Sequence, residues 1–225
     1  PIIGTVADVS GFTVDGTQDF WRRHYRPDNT VLALVGNFDA EEMLERVTWW
    51  FSDVPPKPAP ETPRVTELAL PSAGGSGVLE DAIEDWGLWM GWPVPDGLHP
   101  DAAALEILST ILSYGRGTRL DDAMYYERRV ANETWAWLSP GEVASQFIIY
   151  TASVKSRIPK MARMIEAVLA DVVDNPPTED ELQRAQAVLL ASTLDALELP
   201  EDRAEQLTDC MALYGRPDCF EEVWQ

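Results

Sequence analysis

Residues 52 to 63 read SDVPPKPAPETP, five prolines in twelve positions. Each proline fixes φ and removes a backbone donor, so neither a helix interior nor a central strand can run through this stretch. Its composition is that of a stiff, extended linker. The 225 residues are therefore expected to divide into a short portion before it and a longer one after it.

Before the linker, TQDFWRRHY places Phe20, Trp21, His24 and Tyr25 at offsets of three and four, which predicts a helix over 17–25 with one aromatic face. Arg26-Pro27-Asp28-Asn29 ends it, because the residue before proline is pushed out of the helical region and Asp-Asn favours a turn. The apolar run from Thr30 to Val35 reads as a strand closed by Gly36 and Asn37. Asp39 with Glu42 has capping-box spacing, with Asp in place of Ser or Thr, and Met43, Leu44, Val47 and Trp50 continue a helix to Phe51.

After the linker, strands are expected at 64–70, 77–80 and 86–92, the last reading WGLWMGW. His99-Pro100-Asp101 opens a helix with His99 as its cap, and Ala103, Leu105, Ile107, Leu108, Ile111 and Leu112 form its apolar face. SYGRGTRL is a glycine-containing loop into a further helix. ETWAWL and QFIIYTASV, separated by Ser139-Pro140-Gly141, read as a hairpin. Three helices follow: 159–173, stopped by Asn175-Pro176-Pro177; one capped by Thr178 and Glu181 and running through Leu197; and one from Pro200 to about Gly215.

With 45% hydrophobic residues and nine tryptophans, the chain can bury a sizeable core. Its 17 basic against 38 acidic side chains give a net charge of −21, which repels a phosphate backbone and argues against nucleic acid as a partner. The same charge would steer a basic peptide towards the surface, or serve solubility alone. The longest apolar runs fall far short of the ~20 residues a spanning helix needs, so no membrane span is expected. Cys210 and Cys219 allow either a small disulfide loop or two reduced core thiols, and no metal framework is visible around them. A start at Pro1 without methionine reads as a chain cut from something longer.

His24, on the aromatic helix, lacks a second ligand at metal spacing, and His99 sits before a helix-initiating proline, so neither supports catalysis. Gly115-Arg116-Gly117-Thr118-Arg119 lacks the spacing of a phosphate loop. Two glycines, two guanidinium groups and a hydroxyl can contact a peptide backbone or carboxylate, or form no more than a tight turn between helices. Adjacent acids such as Asp121-Asp122 and Glu179-Asp180-Glu181 read as solvated faces or helix N-termini.

The segments PIIGT, DFWRRHYRPDNTVLALVGNFDAEEMLERVTWWFSDVP, WPVPDGLHPDAAALEILSTILSYGRGTRL and PTEDELQRAQAVLL, in that order, resemble the insulinase or pitrilysin-like zinc metallopeptidases, which include the mitochondrial processing peptidases. The resemblance implies an α+β fold of repeated domains of the LuxS/processing-peptidase type, each a mainly antiparallel sheet with helices on one side. Residues 1–57 would be the C-terminal part of a first, zinc-bearing domain, 58–63 the linker, and 64–225 most of a second domain. The ending CFEEVWQ falls short of a further helix and strand that the family carries.

The family's inverted H-x-x-E-H motif, with a distal Glu, holds zinc and supplies a general base. This sequence has no such motif. The resemblance therefore implies that zinc in the parent is bound by residues outside this chain, which alone would be inert. A second family pattern, L-R-x-x-x-x-x-x-Y, donates an Arg and a Tyr to substrate. Here Met124-Tyr125 stand where Leu-Arg would, and Asn132 where Tyr would, so the chain departs from that role. The glycine-rich loop handles substrate in processing peptidases, which makes Gly115, Arg116, Gly117 and Arg119 the substrate-binding candidates. The expected function is the non-zinc portion of an endopeptidase that cleaves peptides or unfolded segments in a closed chamber. Its partners would be a peptide substrate and the other half of the peptidase. The alternative is an inactive homologue serving as a structural or substrate-recognition subunit.

Overall fold

The structure is a computed structural model, and it describes residues 4–55, 74–115, 117–126 and 129–219. The chain gathers into two compact units, Pro1–Pro63 with Leu194–Gln225, and Arg64–Thr193.

In the first unit, α1 (Val6–Ser10) is opened by Thr5 and Asp8, whose side chains cap each other's backbone. Helix α2 (Val14–His24) starts three residues before the aromatic period suggests, because Thr13 accepts a hydrogen bond from Gly16 N–H and fixes the entry. The Arg-Pro-Asp-Asn break is tied internally. Arg26 is buried and paired with Asp28, Asn29 Nδ2 donates to the His24 carbonyl, and Thr30 Oγ1 donates to the Arg26 carbonyl. Helix α3 (Ala40–Phe51) begins where Asp39 accepts from Glu42 N–H.

The strand expected from Thr30 to Val35 does not form among the described residues. Thr30 is extended, but no described segment pairs with the run, and without a ladder an extended segment is not a strand. The aromatic face of α2 is likewise unpacked, with Phe20, Trp21 and Tyr25 all exposed.

The second unit is built on a three-stranded antiparallel sheet in the order β1-β3-β2, with β1 Trp86–Val94, β2 Glu133–Ser139 and β3 Ser145–Ser153. β2 and β3 form the expected hairpin, and β3 also pairs along its whole length with β1. Alternation assigns the two faces. Leu88, Met90, Trp92 and Val94 of β1, Ala136 of β2, and Phe147 and Ile149 of β3 turn inwards. Against them lie Leu112 of α4 (Ala102–Ser113), Leu120 of the short α5 (Arg119–Asp121), Met124 of the π-helical turn at 122–126, and Met161 and Ile165 of α6 (Ile158–Asp174). Helices thus cover one side of the sheet, the α+β arrangement expected.

Two boundaries differ from the sequence reading. Residues 77–80 are not a strand: Val78 and Leu79 are exposed and nothing among the described residues pairs with them. Helix α4 begins at Ala102, because His99 and Pro100 form a turn in which His99 Nδ1 accepts from Asp101 N–H. The strand expected at 64–70 lies outside the described residues. Helix α7 (Glu179–Glu198) has the full capping box, with Thr178 Oγ1 accepting from Glu181 N–H and Glu181 accepting from Thr178 N–H. Helix α8 (Pro200–Tyr214) ends at Gly215 in the left-handed region, and Cys210 and Cys219 form a disulfide across that end.

Candidate functional site

The ladder order leaves β2 with β3 on one side only, so the opposite backbone edge of β2 is unpaired by any strand among the described residues. Successive residues of a strand turn their N–H and C=O to alternate sides. At Ala136 the outward pair meets Ser113 at the end of α4, whose Oγ accepts from Ala136 N–H and donates to the Ala136 carbonyl. Thr134, two residues earlier, turns its backbone the same way, and there the edge opens into a groove.

The β2 side of that groove is Asn132, Glu133, Thr134 and Trp135. Its other wall is Ser113 and Gly115 from the end of α4, with Asp121 and Tyr125 from the segment that follows. Gly115 has φ +96°, and Gly117 has φ +72°, a region that side chains other than glycine adopt only at a cost. A Cβ at either position would meet no neighbour within 4 Å, so the turn requires these glycines for their backbone and not for space.

The loop is held from behind by two arginines. Arg119 Nε and Nη2 donate to the two carboxylate oxygens of Glu181 at 2.7 and 2.9 Å, a bidentate fork, while Nη1 reaches the Asn175 carbonyl at 2.9 Å and Asp171 at 3.4 Å. Arg184 Nη2 donates to the Gly117 carbonyl at 3.1 Å. The Arg119 fork and the two hydrogen bonds from Thr178 hold the Glu181 carboxyl down at about 2. In the groove, burial pushes the Asp121 carboxyl above its ordinary value, and the adjacent Asp122 charge adds to it.

Of the substrate-binding candidates, Gly115 lines the groove. Gly117 and Arg119 do not, and Arg116 lies outside the described residues. The Arg119 guanidinium is committed to α7 and to the α6–α7 turn, so its contribution is to hold the loop in place. The groove also brings together Tyr125 and Asn132, the two positions where the family's Arg and Tyr were sought, but with a phenol and an amide in their stead. Sequence reasoning missed Glu133, Thr134 and Trp135, since only the strand order makes β2 an edge.

No donor set for a metal is present among the described residues. The His24 ring packs on Phe20, His99 accepts from its own turn, and both cysteines are spent in the disulfide. These residues do not fit a zinc site.

The chain spans about half the length of the curated relatives it matches. An uncharacterized zinc protease of Streptomyces coelicolor is 26% identical over 202 residues, covering 88% of this chain and 44% of that protein. Among solved structures, a protease from Helicobacter pylori superposes with a TM-score of 0.83 at 22% identity, covering 99% of this chain and 55% of that one. A peptidase M16 inactive domain from Pseudomonas fluorescens gives 0.78 at 23%, covering 98% and 52%. The family model described as the peptidase M16 inactive domain matches residues 11–189. With well over half its length so matched, and no zinc motif in its sequence, this chain belongs to the M16 peptidase family as a non-catalytic portion.

Proposed function

We propose that this chain is the non-zinc portion of a zinc-dependent endopeptidase, and that the groove beside β2 receives an extended segment of the substrate peptide. The observation that carries the reading is the backbone edge at Thr134, unpaired by any strand among the described residues, in a groove whose other wall includes Gly115, which has no side chain. An extended peptide laid there would gain main-chain hydrogen bonds as an added strand. Ser113 already occupies the edge at Ala136 and would limit how far such a strand runs along β2. Zinc, and the base that activates its water, belong in this reading to residues outside the chain. The other half of the peptidase would close the chamber around the peptide.

The longer protein containing this chain should cleave an unstructured peptide, lose that activity to a chelator and regain it with zinc. The chain alone should neither cleave nor bind stoichiometric zinc. In the longer protein Tyr125→Ala should raise KM several-fold with little change in kcat, since it removes one wall of a binding groove and touches no reacting atom. One zinc bound by the chain alone would contradict the reading. Chelator-insensitive silence of the longer protein would instead favour an inactive subunit.

A further inference from the structure

The face of the sheet turned away from the helices is aromatic. The register puts Trp89 of β1, Tyr150 of β3 and Trp135 of β2 in one row across all three strands, with Gly91, Ile148 and Trp137 in the next. Trp89 is 64% exposed and Trp135 50%, and with Tyr150 between them they make a contiguous exposed aromatic patch. The Trp89 ring lies 4.6 Å from the Tyr150 ring and 5.7 Å from the Trp137 ring, centroid to centroid. The row depends on Gly87: a Cβ there would meet Tyr150 Cε2 at 2.9 Å.

One end of this face is acidic. Glu133 accepts from the Tyr150 hydroxyl and from Trp135 Nε1, both at 3.3 Å, and Asp85 accepts from Asn132 Nδ2 at 2.7 Å. No outward position of the three strands is basic: they are Gly87, Trp89, Gly91 and Pro93; Glu133, Trp135, Trp137 and Ser139; and Gln146, Ile148, Tyr150 and Ala152. Glu133 and Trp135 belong to this face and also to the groove beside β2.

We infer that this aromatic, acidic face selects the peptide by taking a cationic side chain, arginine or lysine, at the position opposite Glu133 and Trp135. The inference rests on the reading of the groove as a peptide site. A strand added at Thr134 would hydrogen-bond to that residue and place the two flanking positions in non-hydrogen-bonded pairs with Glu133 and Trp135, where Cα atoms approach to about 4.5 Å. Their side chains then turn onto the outer face, extending the rows of the sheet by one. A guanidinium there lies against the Trp135 ring with its charge towards Glu133, so it gains a cation–π contact and a charge-assisted hydrogen bond together. A neutral side chain gains neither the cation–π contact nor an ion pair, keeping at most a hydrogen bond to Glu133, and an acidic one meets like charge.

The test uses this 225-residue chain, a fluorescently labelled unstructured peptide with one central arginine, its citrulline counterpart, and a version N-methylated at alternate amides. Binding is read by anisotropy. The arginine peptide should bind about tenfold more tightly than the citrulline peptide, and the N-methylated one hardly at all. Glu133→Gln should abolish the arginine preference, and Trp135→Ala should weaken the arginine peptide while sparing the citrulline one. Circular dichroism shows whether each variant is folded, and because Trp135 is half exposed its truncation leaves the core intact. Equal binding of the arginine and citrulline peptides, both lost on N-methylation, overturns the cationic preference and leaves the groove reading standing. No binding of any peptide, or binding indifferent to N-methylation, overturns the groove reading and this inference with it. A dimer that Trp89→Ala dissolves assigns the face to a second copy of the chain and also overturns the inference.

Discussion

At the scale of residues, the fork between Arg119 and Glu181 ties the groove's loop to the start of α7. Glu181 has an ordinary value of 4.5 and is held near 2, so the native state favours its ionised form. The linked stability is fully present above the ordinary value and is lost as pH falls from about 4.5 towards 2. Wild-type unfolding free energy, followed by denaturant titration, should therefore drop over that window, and Glu181→Gln should flatten the drop. At neutral pH that variant should cost about 2 kcal/mol, the worth of a hydrogen bond to a charged partner. Both members of the fork were visible in the sequence, but for other reasons. Glu181 stood out as a capping residue, and Arg119 as a substrate contact. Their pairing across 62 residues is set by how α5 and α7 pack, which no local pattern encodes.

At the scale of elements, the edge of β2 depends on Ser113. Its hydroxyl satisfies the buried Ala136 N–H, so Ser113→Ala should cost about 2 kcal/mol in chemical denaturation, mostly from the donor left without a partner. The disulfide closes a loop of nine residues around the end of α8, and loop-closure entropy for that length gives about 2.5 kcal/mol. Reduction should lower the denaturation midpoint by the corresponding amount, and Cys210→Ser should reproduce the shift. Strands β1, β2 and β3 and helices α6, α7 and α8 were legible because alternation, prolines and capping residues mark them locally. The run from Thr30 to Val35 carries an equally plain strand composition and still forms none among the described residues. Composition specifies a willingness to pair, and the partner must come from elsewhere.

At the scale of the whole molecule, the family was legible from the order of a few local segments. The groove was not. It arises because β1 pairs with β3 across some sixty residues of sequence, leaving β2 outermost among the described strands, and a contact of that range has no signature in either strand. In the function proposed above, this edge would be a place to hold peptide. Among the described residues no helix is long and apolar enough to cross a membrane. Hydrogen exchange of the chain with and without a saturating unstructured peptide tests that use most directly. The account predicts that the Thr134 amide, at the open edge, slows at least tenfold on peptide addition while the amides of α8 are unchanged; unaltered exchange at Thr134 under saturation, with protection elsewhere, would contradict it.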